Sequence, residues 1–199
     1  MSSVRAALNY SVDNGRPINY YLYEPDADEE RNPPGTDPQE MEIRDGWPRV
    51  DEFSVDREGF EIKPFETSFA DFDHDDVIKT AFYPDVIAFV KRHTGAKRVE
   101  VFDHTIRRRL PDDLSQQTDV KRPAVQVVHG DYTPKSGPQR VRDILPDEAE
   151  NLLKGRVAFF NVWKPLFETV EELPLACCDT QSHADDDMLV MELKYRERT

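Results

Sequence analysis

Apolar positions in this chain come in short runs, and the spacing within each run names an element. Ala124-Val125-Gln126-Val127-Val128 is apolar and β-branched and predicts a strand, while Lys97–Phe102 alternates polar with apolar and predicts another. Arg156–Trp163 and Met188–Tyr195 read the same way. Near the start, Val4–Tyr10 and Ile18–Tyr23 flank the turn signal Asp13-Asn14-Gly15-Arg16-Pro17, which predicts a hairpin or a pair of edge strands. Helical spacing appears further along. Asp73-His74-Asp75-Asp76 puts carboxylates where a helix N-terminus favours them; a helix follows over Val77–Ala81, and Pro84 opens a second through His93. Val86, Ile87, Phe89 and Val90 give that second helix an apolar stripe, and Thr94-Gly95 stop it. A third helix opens at Pro146 with acids in its first turn and ends at Gly155. Residues 24–49 and 110–123 are polar loops, and the first is long enough to be a solvated insertion or a lid.

Composition narrows the class. The 199 residues suffice for one sizeable domain, read as 1–75 (N-terminal strands and loops) and 76–199 (helices and the later strands). Hydrophobic content is 38% and mean hydropathy is -0.72, so the core is modest and the loops extensive. Fifteen prolines against eight glycines favour stiff connections over long helices. A net charge of -14 argues against nucleic acid or an anionic membrane as the main partner. No run of eighteen apolar residues and no charged-then-apolar leader appears, which leads to the expectation of a cytoplasmic protein. The two cysteines, Cys177 and Cys178, are adjacent, and nothing near them suggests a lowered pKa; small packing residues are the expectation.

The candidate chemistry sits at the end of the Val125–Val128 run, in His129-Gly130-Asp131, followed by a loop marked by Pro134, Gly137 and Pro138. An imidazole and a carboxylate two residues apart at a strand's end can turn to one side and share a metal. They are two-thirds of the facial triad that holds non-haem iron(II) with positions left open. A surface His and a turn-capping Asp would give the same letters, so the pattern alone leaves both readings open. Phosphate loops, Gly-x-Gly-x-x-Gly, nucleophile elbows and Cys-x-x-Cys pairs are absent, which sets aside a nucleotide-dependent methyltransferase.

Four pieces taken in order narrow the choice: Val101-Phe102-Asp103-His104-Thr105-Ile106-Arg107-Arg108; Val128-His129-Gly130-Asp131-Tyr132-Thr133; Phe160-Asn161-Val162-Trp163-Lys164-Pro165-Leu166; and Pro174-Leu175-Ala176-Cys177-Cys178-Asp179. Their order and spacing resemble the CmcJ/AsaB-like family, fungal and bacterial proteins related to cephem 7-methoxylase components and gibberellin desaturase-like enzymes. The resemblance runs from about residue 80 onward and, more loosely, over the N-terminal segment. It implies an α+β, mainly β fold: a double-stranded β-helix (jelly-roll or cupin-like) core with flanking helices. It also implies an Fe(II)- and 2-oxoglutarate-dependent oxygenase acting on a small secondary metabolite, with His129 and Asp131 as the first two iron ligands. Lys164 occupies the place of the family's Arg in the Asn-Val-Trp-Arg-Pro element, which keeps the charge and loses the planar fork. The family continues beyond this length with a distal His ligand and an Arg for 2-oxoglutarate. His183, the one later histidine, lies in a polar stretch that does not match. The expectation is therefore a jelly roll incomplete at its C-terminal side, with exposed strand edges that a homo-oligomer or a partner enzyme would cover. A catalytically incomplete binding or partner subunit is the alternative reading.

Other residues carry weaker expectations. Arg140 follows the metal loop and is a candidate for the cosubstrate carboxylate; Arg107, Arg108 and Arg109 are expected to form salt bridges or to meet an acidic cosubstrate, with at least one of them simply solvated. Asn161 and Trp163 alternate along one predicted strand and so share a side. Asn161 is assigned to the cofactor and Trp163 to the substrate pocket, with core packing as the other reading of Trp163. His104 ends a strand and is expected to line the pocket, to support a ligand from behind, or to be a buried, hydrogen-bonded histidine.

Overall fold

A computed structural model describes residues 2–107, 121–122, 124–167 and 169–196. Arg108, Arg109 and most of the expected loop 110–123 lie outside the described residues. Helices and strands are mixed, and the described residues gather into two compact units. The first comprises residues 1–62, 126–133 and 176–199, the second 63–125 and 134–175.

In the first unit, β1 (Ser3–Val12) pairs antiparallel with β3 (Gly35–Arg44), in register from Ser3 opposite Arg44 to Val12 opposite Gly35. β1 and β2 (Ile18–Tyr21) are edge strands of separate two-stranded sheets, as one of the two expectations had it, and not a hairpin; the polar stretch 24–49, expected as a loop, contains a ten-residue strand. The cause is local. Asp13 Oδ1 accepts from Gly15 N and Asn14 Oδ1 from Arg16 N, which curls the chain tightly. The buried Asn32 then captures the curl, donating to the Pro17 carbonyl at 2.9 Å and accepting from Arg16 and Asn14. β2 instead pairs parallel with β6 (Met191–Lys194), Ile18 opposite Met191. β3 carries its charges against β1, with Arg5 opposite Glu42, a pairing worth a few tenths of a kcal/mol on an exposed ribbon, on the order of 0.2–1.

The second unit is built on a continuous helical run: α1 (Asp75–Val77), a π-helical turn (Ile78–Phe82) and α2 (Tyr83–Thr94). Sequence spacing predicts two helices separated at Pro84. The wider π-helical turn carries the chain into α2, and Pro84 falls in the first turn of α2, where a proline is best tolerated. Gly95, at φ 69°, ends the run, its N–H donating to the Lys91 carbonyl, as the sequence predicts. Phe65, Phe69, Phe72, Phe82 and Phe89 interlock edge-to-face and stacked beside it. Ile78, Val90, Ile106, Val141 and Ala149 are buried.

β4 (Ile106–Arg107) and β5 (Lys121–Arg122) pair parallel over two residues each. α3 (Ser136–Ile144) begins where the sequence suggests a loop; Gly137 and Pro138 sit in its first turn, where both are tolerated. α4 (Ala149–Leu152) is the shorter form of the helix expected from Pro146. The predicted strands 97–102 and 156–163 form no ladder among the described residues. No helix of the described residues is long and apolar enough to cross a membrane.

Candidate metal centre

The His-Gly-Asp turn is aimed by β1. Val128 N donates to the Asn9 carbonyl at 2.9 Å, and Asn9 Nδ2 donates to the Gln126 carbonyl at 2.9 Å, with an isolated bridge between Asn9 and Val127. That clamp fixes residues 126–128, and the chain leaves it into His129. The ring then folds back so that Nδ1 donates to the Val127 carbonyl at 2.7 Å. Such a bond settles the tautomer and leaves Nε2 as the atom turned outward. Nε2 lies 3.5 Å from Asp131 Oδ1, and both side chains are under half exposed, at 44% and 43%. Gly130 lies between them, and a Cβ there would make only an ordinary contact with Met188 Cε at 3.7 Å. An oriented imidazole nitrogen beside a carboxylate oxygen is a fitting donor set for a divalent cation. Among the described residues, no group of three or more His, Cys, Asp or Glu is gathered for a metal.

The remaining candidates lie in the second unit. Arg140, on α3, holds its guanidinium 4.9 Å from the centre of the Phe102 ring, a cation–π seat. Under α3 lies an apolar cavity of about 230 Å³ lined by Pro138, Val141, Leu153, Gly155, Val157 and Phe159. Trp163 is 48% exposed and Asn161 is exposed as well. Lys164 donates to the Pro165 carbonyl and lies 5.9 Å from the Phe72 ring.

His104 is the most enclosed of the candidates, with 15% of its side chain exposed. Its Nδ1 is 2.7 Å from the Tyr83 hydroxyl, and its Nε2 is 3.2 Å from Asp75 Oδ1. Burial pushes the Tyr83 phenol up. Lys79 beside Asp75 holds that carboxyl below its usual range. Neither Tyr83 nor Asp75 could be assigned to His104 from sequence, because helical residues and the segment before β4 are joined only by folding. Cys177 and Cys178 are both exposed, which corrects the expected packing role; partial desolvation, with Cys178 alongside, still pushes the Cys177 thiol up, the wrong direction for a nucleophile.

Residues 8–199 match a family described as the oxidoreductase/YMDC permease-like domain, and the chain belongs to it. Its relatives give that class its chemistry. Oxidoreductase AN1597 of Emericella nidulans is 31% identical over 195 residues, covering 89% of this chain and 64% of its own length. Alpha-ketoglutarate-dependent dioxygenase phiK, from a fungal species, is 31% identical over 156 residues, covering 77% of this chain and 56% of its own length. The chain thus spans somewhat over half of these relatives. Among solved structures, the iron and alpha-ketoglutarate-dependent endoperoxidase NvfI superposes with a TM-score of 0.64 at 20% identity, over 76% of this chain and 55% of its own. The fold likeness and the relatives' names bear out the family resemblance carried by the four sequence pieces.

Proposed function

We propose that the chain carries the iron-binding part of an Fe(II)- and 2-oxoglutarate-dependent oxygenase that hydroxylates or desaturates a small secondary metabolite. The observation that carries this reading is the His129–Asp131 pair, with Nδ1 tied to Val127 and Nε2 turned to the carboxylate, in a chain whose relatives bear dioxygenase names. In this reading residues 1–199 are one domain contributing to a jelly-roll core, and it works in the cytoplasm. His129 and Asp131 hold the iron. Arg140 and Asn161 serve the 2-oxoglutarate carboxylates, and Trp163 walls the substrate pocket. Bound there, iron and 2-oxoglutarate would supply the oxidising chemistry for a C–H bond, and His129 and Asp131 would supply the oriented ligands. Lys164 is left out of bidentate recognition, since a point charge cannot grip a carboxylate as a planar fork does.

The test is an anaerobic titration with iron(II) and 2-oxoglutarate, followed by the visible charge-transfer band of the chelate. The band is expected in the intact chain and absent from His129→Ala and Asp131→Ala. A His129→Ala protein that binds iron at full stoichiometry would sink the assignment. Substrate-dependent succinate formation then reports turnover.

A second reading is favoured by one observation: Met188, Leu189 and Val190, the three residues before β6, and Leu193 within it are 54%, 39%, 64% and 48% exposed. A run of exposed apolar residues leading into a strand suits a segment that another polypeptide covers. In that reading the chain is a partner subunit or homo-oligomer that needs the covering polypeptide to complete its site. Native mass measurement decides between them, and a strictly monomeric chain that forms the chelate alone would reject this second reading.

A further inference from the structure

The chain has two cysteines, and they are neighbours in sequence. Cys177 and Cys178 are both exposed, and both are free thiols. Adjacent Cα atoms lie about 3.8 Å apart across a trans peptide, while a disulfide usually wants about 4.4–6.8 Å, so the pair resists closing on itself. Cys178 is held only weakly. Its Sγ lies 3.5 Å from Ser182 Oγ and 3.6 Å from the Asp179 carbonyl, and the Ser182 hydroxyl already donates to that carbonyl at 2.6 Å. The Cys178 S–H is therefore the donor in these contacts, and sulfur is a weak one. The turn beneath it stands without that sulfur: Asp179 Oδ1 accepts from Gln181 N at 2.9 Å, and Thr180 is fixed to the Arg57 and Glu58 carbonyls. The backbone that presents Cys178 is thus anchored while its sulfur is easily released. Partial desolvation pushes the Cys177 thiol up, so this sulfur keeps its proton and is a poor target for alkylation or peroxide. Two exposed S–H groups side by side suit instead a reaction that consumes both and yields water.

We propose that Cys177 and Cys178 form a chelating dithiol site for a trivalent, monosubstituted arsenical, R–As=O. Two As–S bonds form and the As–O double bond breaks. The two S–H protons leave with the oxide oxygen as one water. Arsenic stays trivalent and neither sulfur is oxidised, so the step needs no oxidant or reductant. Arsenic is a soft centre, and cysteine sulfur is the soft ligand among side chains. Once one sulfur is bonded, the second attacks from the next residue at the high effective concentration of a tethered group. A lone thiol has no such advantage. The site needs nothing from His129 and Asp131, whose nitrogen and oxygen ligands suit iron(II) and not arsenic.

The proposal is tested on the full, reduced chain with phenylarsine oxide. Intact-mass measurement is expected to show one arsenical per chain with one water lost, and the free-thiol count should fall from two to none. Excess 2-mercaptoethanol should leave the adduct in place, and 2,3-dimercaptopropanol should remove it. Cys177→Ser and Cys178→Ser should each weaken binding by about 100- to 10,000-fold, through loss of the tethered second bond. The monothiol should then strip whatever adduct remains. Because both thiols are exposed, the native chain should capture the reagent as fast as the chain in concentrated urea, a comparison that needs no substitution. An adduct that leaves one thiol free, an adduct that the monothiol strips from the wild-type chain, a single variant that binds as tightly as wild type, or capture much slower in the native chain than in urea would each overturn the proposal.

Discussion

At the scale of single residues, what matters is which polar groups are enclosed and by what. Glu58 is 7% exposed, and its carboxylate accepts from Ser54 N at 2.8 Å and from Arg57 Nε. Arg57 first, and the Ser54 amide with it, hold the carboxyl below its ordinary value of 4.5. A carboxylate with a depressed folded-state pKa stabilises above the unfolded value, and that contribution disappears as pH falls through the folded value. Glu58→Gln should therefore lower the urea midpoint at pH 7, and the gap to wild type should close below about pH 4. A gap that persists unchanged at low pH would show that Glu58 acts by shape and not by charge. Tyr23 has the opposite displacement: its hydroxyl donates to Glu29 at 2.7 Å, which pushes the phenol up to about 12 and fixes it as a donor at any physiological pH.

At the scale of elements, one turn pins two distant segments. Thr180 N donates to the Glu58 carbonyl at 3.0 Å and Thr180 Oγ1 to the Arg57 carbonyl at 2.9 Å. Gly59, at φ 84°, lies under the threonine, and a Cβ there would fall inside contact with Thr180 Cγ2. Gly59→Ala should cost about 2–3 kcal/mol from the combined backbone strain and collision. Adding Thr180→Ser, which keeps the hydroxyl and deletes the colliding methyl, should return part of that loss in a double-mutant cycle. Purely additive effects would place the cost in the backbone alone. Elements whose signal is local were legible in the sequence: the carboxylates before α1, the stripe of α2 and its Gly95 stop. β3 was not, because nine of its ten positions are exposed and no apolar alternation marks it. Nor was α3, whose Gly137 and Pro138 resemble a loop until their first-turn placement is known. The site divides the same way. His129-Gly130-Asp131 is contiguous and readable, whereas the link from His104 to Tyr83 and Asp75 depends on the helical run packing against the segment before β4.

At the scale of the whole molecule, charge is the property most plainly set by composition. Forty acidic side chains against twenty-six basic ones leave a net charge of -14. The visible ion pairs are mostly exposed, such as Arg16–Glu30 and Arg142–Glu150, and each contributes little. Repulsion among the excess carboxylates should therefore outweigh them. Raising ionic strength from about 0.01 to 0.15 M, which shortens the screening length from about 30 to 8 Å, should raise the thermal midpoint. A midpoint that falls with salt would mean that the ion pairs dominate after all. The pairing of β2 with β6 has a consequence in time. Ile18 meets Met191, so the N-terminal tyrosine strand cannot find its neighbour until nearly the whole of this sequence has left the ribosome. At synthesis rates of about 5–20 residues per second, that is a wait of roughly ten to thirty seconds. Throughout it Ile18, buried at 4% once the strands have met, must be sheltered by something other than its final partner.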